Sequence, residues 1–133
     1  MENEFVTYEQ GVKLEELGFD EPCMFVHDPW GNTKNWIEDG EGEHRNSDKN
    51  ASIYYSAPLK QQVFEWFREK HKIEATVACY YSKILGISYE ERLYHCHIVR
   101  DGTTTKGPKF KTYEEAESTC IDKLIEIVKN NKI

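Results

Sequence analysis

The chain has 133 residues and a formal net charge of −7, with 17 basic and 24 acidic side chains. That length suits one domain, which buries about two thirds of its unfolded surface and folds without staples. Apolar residues are sparse at 38%, but 3 Trp, 8 Tyr and 6 Phe compensate in area, which excludes a disordered chain, and no run approaches the ~18 apolar residues of a membrane span.

The charge is unevenly placed. Residues 1–48 hold 13 acids and 3 bases, and residues 49–133 hold 11 acids and 14 bases. Overall acidity disfavours a general binder of nucleic-acid backbones, which needs many Lys and Arg contacts. The N-terminal MENEF lacks the basic and apolar regions of a signal peptide, so a cytoplasmic protein is expected. Cys23, Cys79, Cys96 and Cys120 are scattered without a C-x-x-C pair, and are expected to be reduced thiols acting as small core residues.

In chain order, a first helix is predicted from about Tyr8 to Leu17. Thr7 is its N-cap and Gln10 completes a capping box. Gly18 supplies the left-handed position after the helix, with Phe19 folding back onto Leu14. CMFVHD (Cys23 to Asp28) reads as a strand, PWG as a turn and KNWI as its partner strand. Glu38 to Asn50 contains no apolar side chain except Gly, and is expected to be a mobile acidic loop. Ser52 to Tyr55 reads as a third short strand.

A central helix begins at SAPL, with Ser56 or Ala57 at the cap and Pro58 in the first turn. Leu59, Val63, Trp66 and Phe67 share one face, widened by Phe64, and Arg68, Lys70, His71 and Lys72 complement the dipole at the last turn. Ile73 to Tyr81 alternates as a half-buried strand, with Ile73, Ala75, Val77, Cys79 and Tyr81 on one side. Arg92 to Arg100 is a second period-2 strand, Asp101-Gly102 a hairpin signal, and TTTKGPKF a short edge strand blunted by Pro108. The last helix runs from about Tyr113 to Lys129, capped by Thr112 with Glu115 closing a box. Ala116, Cys120, Leu124, Ile127 and Val128 form its apolar stripe. The shared F-x-T-Y-E words at Phe5–Glu9 and Phe110–Glu114 are therefore two helix starts and not a duplicated module. The expected fold is α+β: one domain over residues 1–133, an antiparallel sheet packed against about three helices in the order α-β-β-β-α-β-β-(β)-α.

Three stretches, LEELGFDEPCMF, SAPLKQQVFEWFREKHKI and FKTYEEAESTCIDKLIEIVKN, resemble a family of small uncharacterised proteins from Bacteroidetes, their phages and their mobile elements. The resemblance covers about half the chain and implies an accessory role in a phage or mobile element. No catalytic or ligand residues are carried over with it.

Few residues point to chemistry. His95 and His97 share one strand face, the two-residue spacing of some metal sites, with His27 or a carboxylate as the missing ligand. The plainer reading places both on the outer face of a sheet, with Tyr94, Cys96 and Ile98 facing the core. The acidic EDGEGE segment lacks EF-hand spacing, and no G-x-S-x-G, P-loop or dinucleotide fingerprint is present. No cofactor is expected. The stretch from Arg100 to Lys111 is basic and leads into a helix start, and nearby tyrosines offer stacking surfaces. Trp30 and Trp36 flank a turn and, with Tyr80, form a candidate interaction surface.

The leading expectation is a non-enzymatic protein that binds a protein partner, a host or defence factor in one version, through its acidic N-terminal half and these aromatic positions. A nucleic-acid module built on residues 100–111 is the alternative, followed by a metal-dependent enzyme around His95 and His97. Self-association through an open strand edge is a further expectation.

Overall fold

A computed structural model describes residues 4–36, 43–47 and 54–131. The elements are α1 (Tyr8–Glu16), β1 (Phe25–His27), β2 (Thr33–Asn35), β3 (Tyr55–Ser56), α2 (Lys60–His71), β4 (Glu74–Tyr80), β5 (Leu93–Arg100), β6 (Thr103–Phe110) and α3 (Tyr113–Asn130), with a short 3₁₀ turn at Tyr89–Glu91. The fold is α+β, as expected, but the strands divide into two antiparallel sheets, ordered β2-β1-β3 and β4-β5-β6.

Local chemistry sets the ends of α1. The Thr7 hydroxyl accepts from the Gln10 N–H at 3.1 Å, and the Gln10 side chain accepts from the Thr7 N–H at 2.9 Å. At the other end the Phe19 N–H donates to the Leu14 carbonyl and the Gly18 N–H to that of Glu15. This closure needs Gly18 at φ +94°, where a side chain is strained. At the start of α3, Thr112 accepts from the Glu115 N–H as expected. Glu115 does not complete the box, because its carboxylate accepts from the Thr112 hydroxyl at 2.8 Å instead.

The start of α2 differs from expectation. Ser56 belongs to β3, and Leu59 is an extended N-cap that makes no side-chain hydrogen bond. The Pro58 carbonyl is held by the Val6 N–H at 3.2 Å, and Leu59 bridges to Phe5, which keeps both residues out of the helix. Leu59 is consequently exposed, and Val63, Phe64, Trp66 and Phe67 form the buried face. That face, the stripe Ala116, Cys120, Ile121, Leu124, Ile125 and Val128 of α3, and the inner residues Ala75, Cys96 and Ile98 of the second sheet make the main core. Full burial of each large side chain contributes roughly 1.5–3 kcal/mol.

Packing β5 on α3 brings Cys96 and Cys120 together with Cα atoms 5.2 Å apart, and the two are joined as a disulfide. This overturns the expectation of four separate thiols, because a pair 24 residues apart leaves no spacing signature. Cys23 is a buried free thiol, pushed up to about 12 by burial. Cys79 is exposed, because β4 runs past the helices that cover its earlier residues.

Part of the expected mobile loop is anchored. His44 is fully buried and exchanges two 2.8 Å backbone hydrogen bonds with Cys23, and its Nδ1 lies 2.7 Å from the Ser56 hydroxyl. Asn46 donates to the Phe19 carbonyl and accepts from the Ser56 N–H. Polar side chains here satisfy buried backbone, which a reading based on apolar content alone does not register. The rest of that loop, including most of EDGEGE, lies outside the described residues.

His27 is 2% exposed, and burial holds its imidazole below the ordinary 6.5. The unfolded chain then takes up a proton near pH 6.5 that the folded chain resists. Stability is expected to fall as pH drops below about 6.5, and to be unaffected by this group above it. Urea midpoints measured between about pH 7 and pH 5 should decline, and His27→Gln should flatten that decline.

Candidate nucleic-acid interface

The second sheet has two unlike faces. Its inner face carries Ala75, Cys96 and Ile98 against α2 and α3. Its outer face is left open by the described elements. Register places Thr76, His97 and Lys106 in one row across β4, β5 and β6, and Ala78, His95 and Lys109 in the next. Tyr80 pairs with Leu93 at the end of the same face.

Lys106 and Lys109 are three residues apart, a spacing that puts them on opposite faces of a regular strand. They share a face because β6 is bulged. Between the pairs His95–Lys109 and His97–Lys106, the single residue Cys96 stands opposite both Gly107 and Pro108. Gly107 suits this position, since a Cβ would come to 3.3 Å from the Cys96 Cβ, a tight contact. Pro108 is tolerated because β6 is an edge strand. The Asp101-Gly102 turn, with φ +51° and +76°, closes the β5–β6 hairpin and sets this register. β6 is eight residues long and pairs along β5 on both sides of the bulge, where a short edge strand was expected.

The resulting surface is cationic and aromatic. Lys109 Nζ sits 4.3 Å from the Tyr80 ring centroid. Neither lysine has an ion-pair partner among the described residues. The His95 and His97 rings meet edge to face at 5.7 Å, and His95 Nδ1 and His97 Nε2 are buried without hydrogen-bond partners. Burial, then the neighbouring His97, Lys106 and Lys109, hold the His95 imidazole below its ordinary value. At one end of the sheet Arg92 belongs to the other face, stacked 4.1 Å from the Tyr89 ring and donating to the hydroxyl of Tyr94, which shares the alternate set of Cys96 and Ile98, at 2.8 Å. Glu74 lies at the far end of β4 on the same face as His95 and His97, paired with Val99.

The structure thus gathers several residues singled out in the sequence and separates others. His95, His97, Tyr80 and the basic stretch meet on one face. The neighbours of the histidines are lysines, which oppose a metal cation, and His27 lies in the other sheet. No group of three or more His, Cys, Asp or Glu suited to a metal occurs among the described residues. Trp30, 81% exposed, stands on the β1–β2 turn. Trp36 is buried against His44 and Tyr54 and drops out of the expected interaction surface, because it roofs a small core with Val26. The β4–β5 connection exposes Ile84 almost completely, together with Leu85, Tyr81 and Tyr89.

No protein-family model, curated protein or solved structure matches this chain. Among the described residues, no helix is long and apolar enough to cross a membrane.

Proposed function

We propose that this protein is a non-enzymatic binding module whose open β4-β5-β6 face holds single-stranded nucleic acid. The observation that carries this reading is the bulge, which sets two uncompensated lysines beside Tyr80, His95 and His97 on one face. Lysines take phosphates, and a tyrosine at the margin offers a stacking surface for an unpaired base. Three strands at ~4.8 Å spacing make a flat face suited to a few nucleotides. So few cations imply weak, salt-sensitive binding, compatible with an acidic chain. The resemblance to phage and mobile-element proteins agrees with an accessory role of this kind.

Fluorescence anisotropy with a labelled oligonucleotide of about 12 nucleotides tests it. Micromolar binding at low salt is expected; no change in anisotropy up to about 100 μM protein would end the reading. Because an anionic ligand favours the imidazolium form of His95, affinity should rise as pH falls into the range, below the ordinary imidazole value, where His95 takes up its proton. His95→Gln should remove most of that rise, and an unchanged pH profile would place the proton uptake elsewhere.

A second reading, a protein partner, is favoured by one observation. Ile84 is 96% exposed on a turn closed by the Ser82–Ile87 bridge, with Leu85 and Tyr81 beside it. Exposed apolar residues clustered on one turn mark docking surfaces. A partner captured by the native chain and lost with Ile84→Asp/Leu85→Asp supports this reading, and equal capture by both removes it.

A further inference from the structure

Away from the sheet face, three helices begin around one cleft of about 510 Å³. Thr7 and Tyr8 line it from the start of α1, Lys60 from the start of α2, and Glu114, Glu115 and Ser118 from the first turns of α3. Thr33, Asn32 and Gly31 of the β1–β2 hairpin complete the wall, and Phe5 and Val6 give it an apolar side. Converging helix starts favour an anion there, against the Glu114 and Glu115 carboxylates on the rim. Leu59 supplies no capping acceptor at α2, so that helix keeps its share of the positive charge.

Two buried side chains show that the cleft is more than helix ends. Lys60 is 5% exposed, and its charge partner is Glu117, with Nζ 3.9 Å from Oε1, too long for a hydrogen bond. Glu117 is itself buried and accepts from Gln61 at 2.8 Å. Burial raises its affinity for a proton, and the Gln61 hydrogen bond and the Lys60 charge oppose that shift. Among the described residues, Glu117 is the carboxylate that pairs with this buried ammonium. His27 also lines the cleft, with Nδ1 3.2 Å from the Thr33 hydroxyl and Nε2 without a partner.

The rim selects the ligand. Glu114 and Glu115 oppose a phosphate dianion and favour donors such as ammonium or hydroxyl groups. We propose that the cleft binds a small carboxylate that also carries an amino or hydroxyl group, with Lys60 holding the carboxylate and Glu114 and Ser118 facing the second group. The volume falls in the range of small-molecule sites.

The test is a titration of the full chain with each common L-amino acid and with glycolate at about 10 mM, a concentration that detects millimolar affinity. Acetate and inorganic phosphate serve as head-group probes, and melting temperature and the His27 ring resonances are read. At least one amino or hydroxy acid should raise the melting temperature and move His27, more than acetate and far more than phosphate. Lys60→Met should weaken that ligand at least about tenfold, the loss of one charge-assisted contact. Where Lys60→Met fails to fold, Thr33→Val and Ser118→Ala take its place and should each weaken the ligand. The idea is overturned if no amino or hydroxy acid acts, if phosphate acts equally, or if the folded variants bind as the native chain does. Charge reversal at Lys106 and Lys109 should leave this response intact, which separates it from the sheet-face reading.

Discussion

Lys106→Glu/Lys109→Glu is expected to reduce oligonucleotide affinity by about two orders of magnitude at low salt, while the fold and melting temperature stay near the native values. Both lysines are exposed and free of ion pairs among the described residues, so their replacement breaks no structural contact except the Lys109–Tyr80 stack. Reversal turns two phosphate-attracting positions into repelling ones beside His95 and His97. The neutral pair Lys106→Met/Lys109→Met should have a smaller effect and lower the slope of log K against log salt by about 1.4, roughly 0.7 for each lost contact to a single strand. Anisotropy titrations at several salt concentrations measure both quantities. An unchanged slope would mean that the phosphates lie elsewhere. Gly107→Val supplies an independent check through the backbone: its Cβ would come to 3.3 Å from the Cys96 Cβ, and a bulge that shifts to relieve this contact should move the lysine alignment and lower oligonucleotide affinity.

Phe67→Ala should destabilise the protein by about 3–5 kcal/mol, a large share of the roughly 5–15 kcal/mol that holds a domain of this size. Phe67 is fully buried in the main core, 5.0 Å from the Trp66 ring and 5.7 Å from that of His71. It sits where α2 meets the second sheet and α3, so neighbours tied to three elements cannot collapse into the void. Phe67→Leu should cost much less, because more of the volume is kept. Urea denaturation followed by circular dichroism gives both values, and similar losses for Ala and Leu would refute the cavity argument.

Much of this architecture was legible locally. Thr7 with Gln10, and Gly18 with Phe19, carry the start and stop of α1 in their own hydrogen-bonding capacity. The alternation of β4 and β5, the Asp101-Gly102 turn and the stripe of α3 also needed no distant information. Errors arose where a distant partner decides. Leu59 is exposed because Phe5 and Val6 hold the segment ahead of α2. His44 and Asn46 anchor a polar loop because Cys23, Phe19 and Ser56 have backbone groups to satisfy.

The candidate sites depend still more on distant contacts. The basic character of residues 100–111 was visible, as was the shared face of His95 and His97. Nothing in the spacing of Lys106 and Lys109 joins them to those histidines, because an odd interval in a strand separates faces. The bulge joins them, and it exists because Gly107 and Pro108 must pass one Cys96 on the neighbouring strand. Lys60 gave no signal as a site residue, being a lysine at the start of a helix, and His27 was singled out only as a third metal ligand for His95 and His97. They line one cleft only once the starts of three helices, far apart in the chain, converge. The sequence by itself determined the helices and most strands, the caps of α1 and the N-cap of α3, and most of the buried faces, since these depend on hydrogen bonds and apolar periods within a few residues. The tertiary structure alone decided the division into two sheets, the Cys96–Cys120 pair and the cationic face, since each follows from contacts between residues that chain order keeps apart.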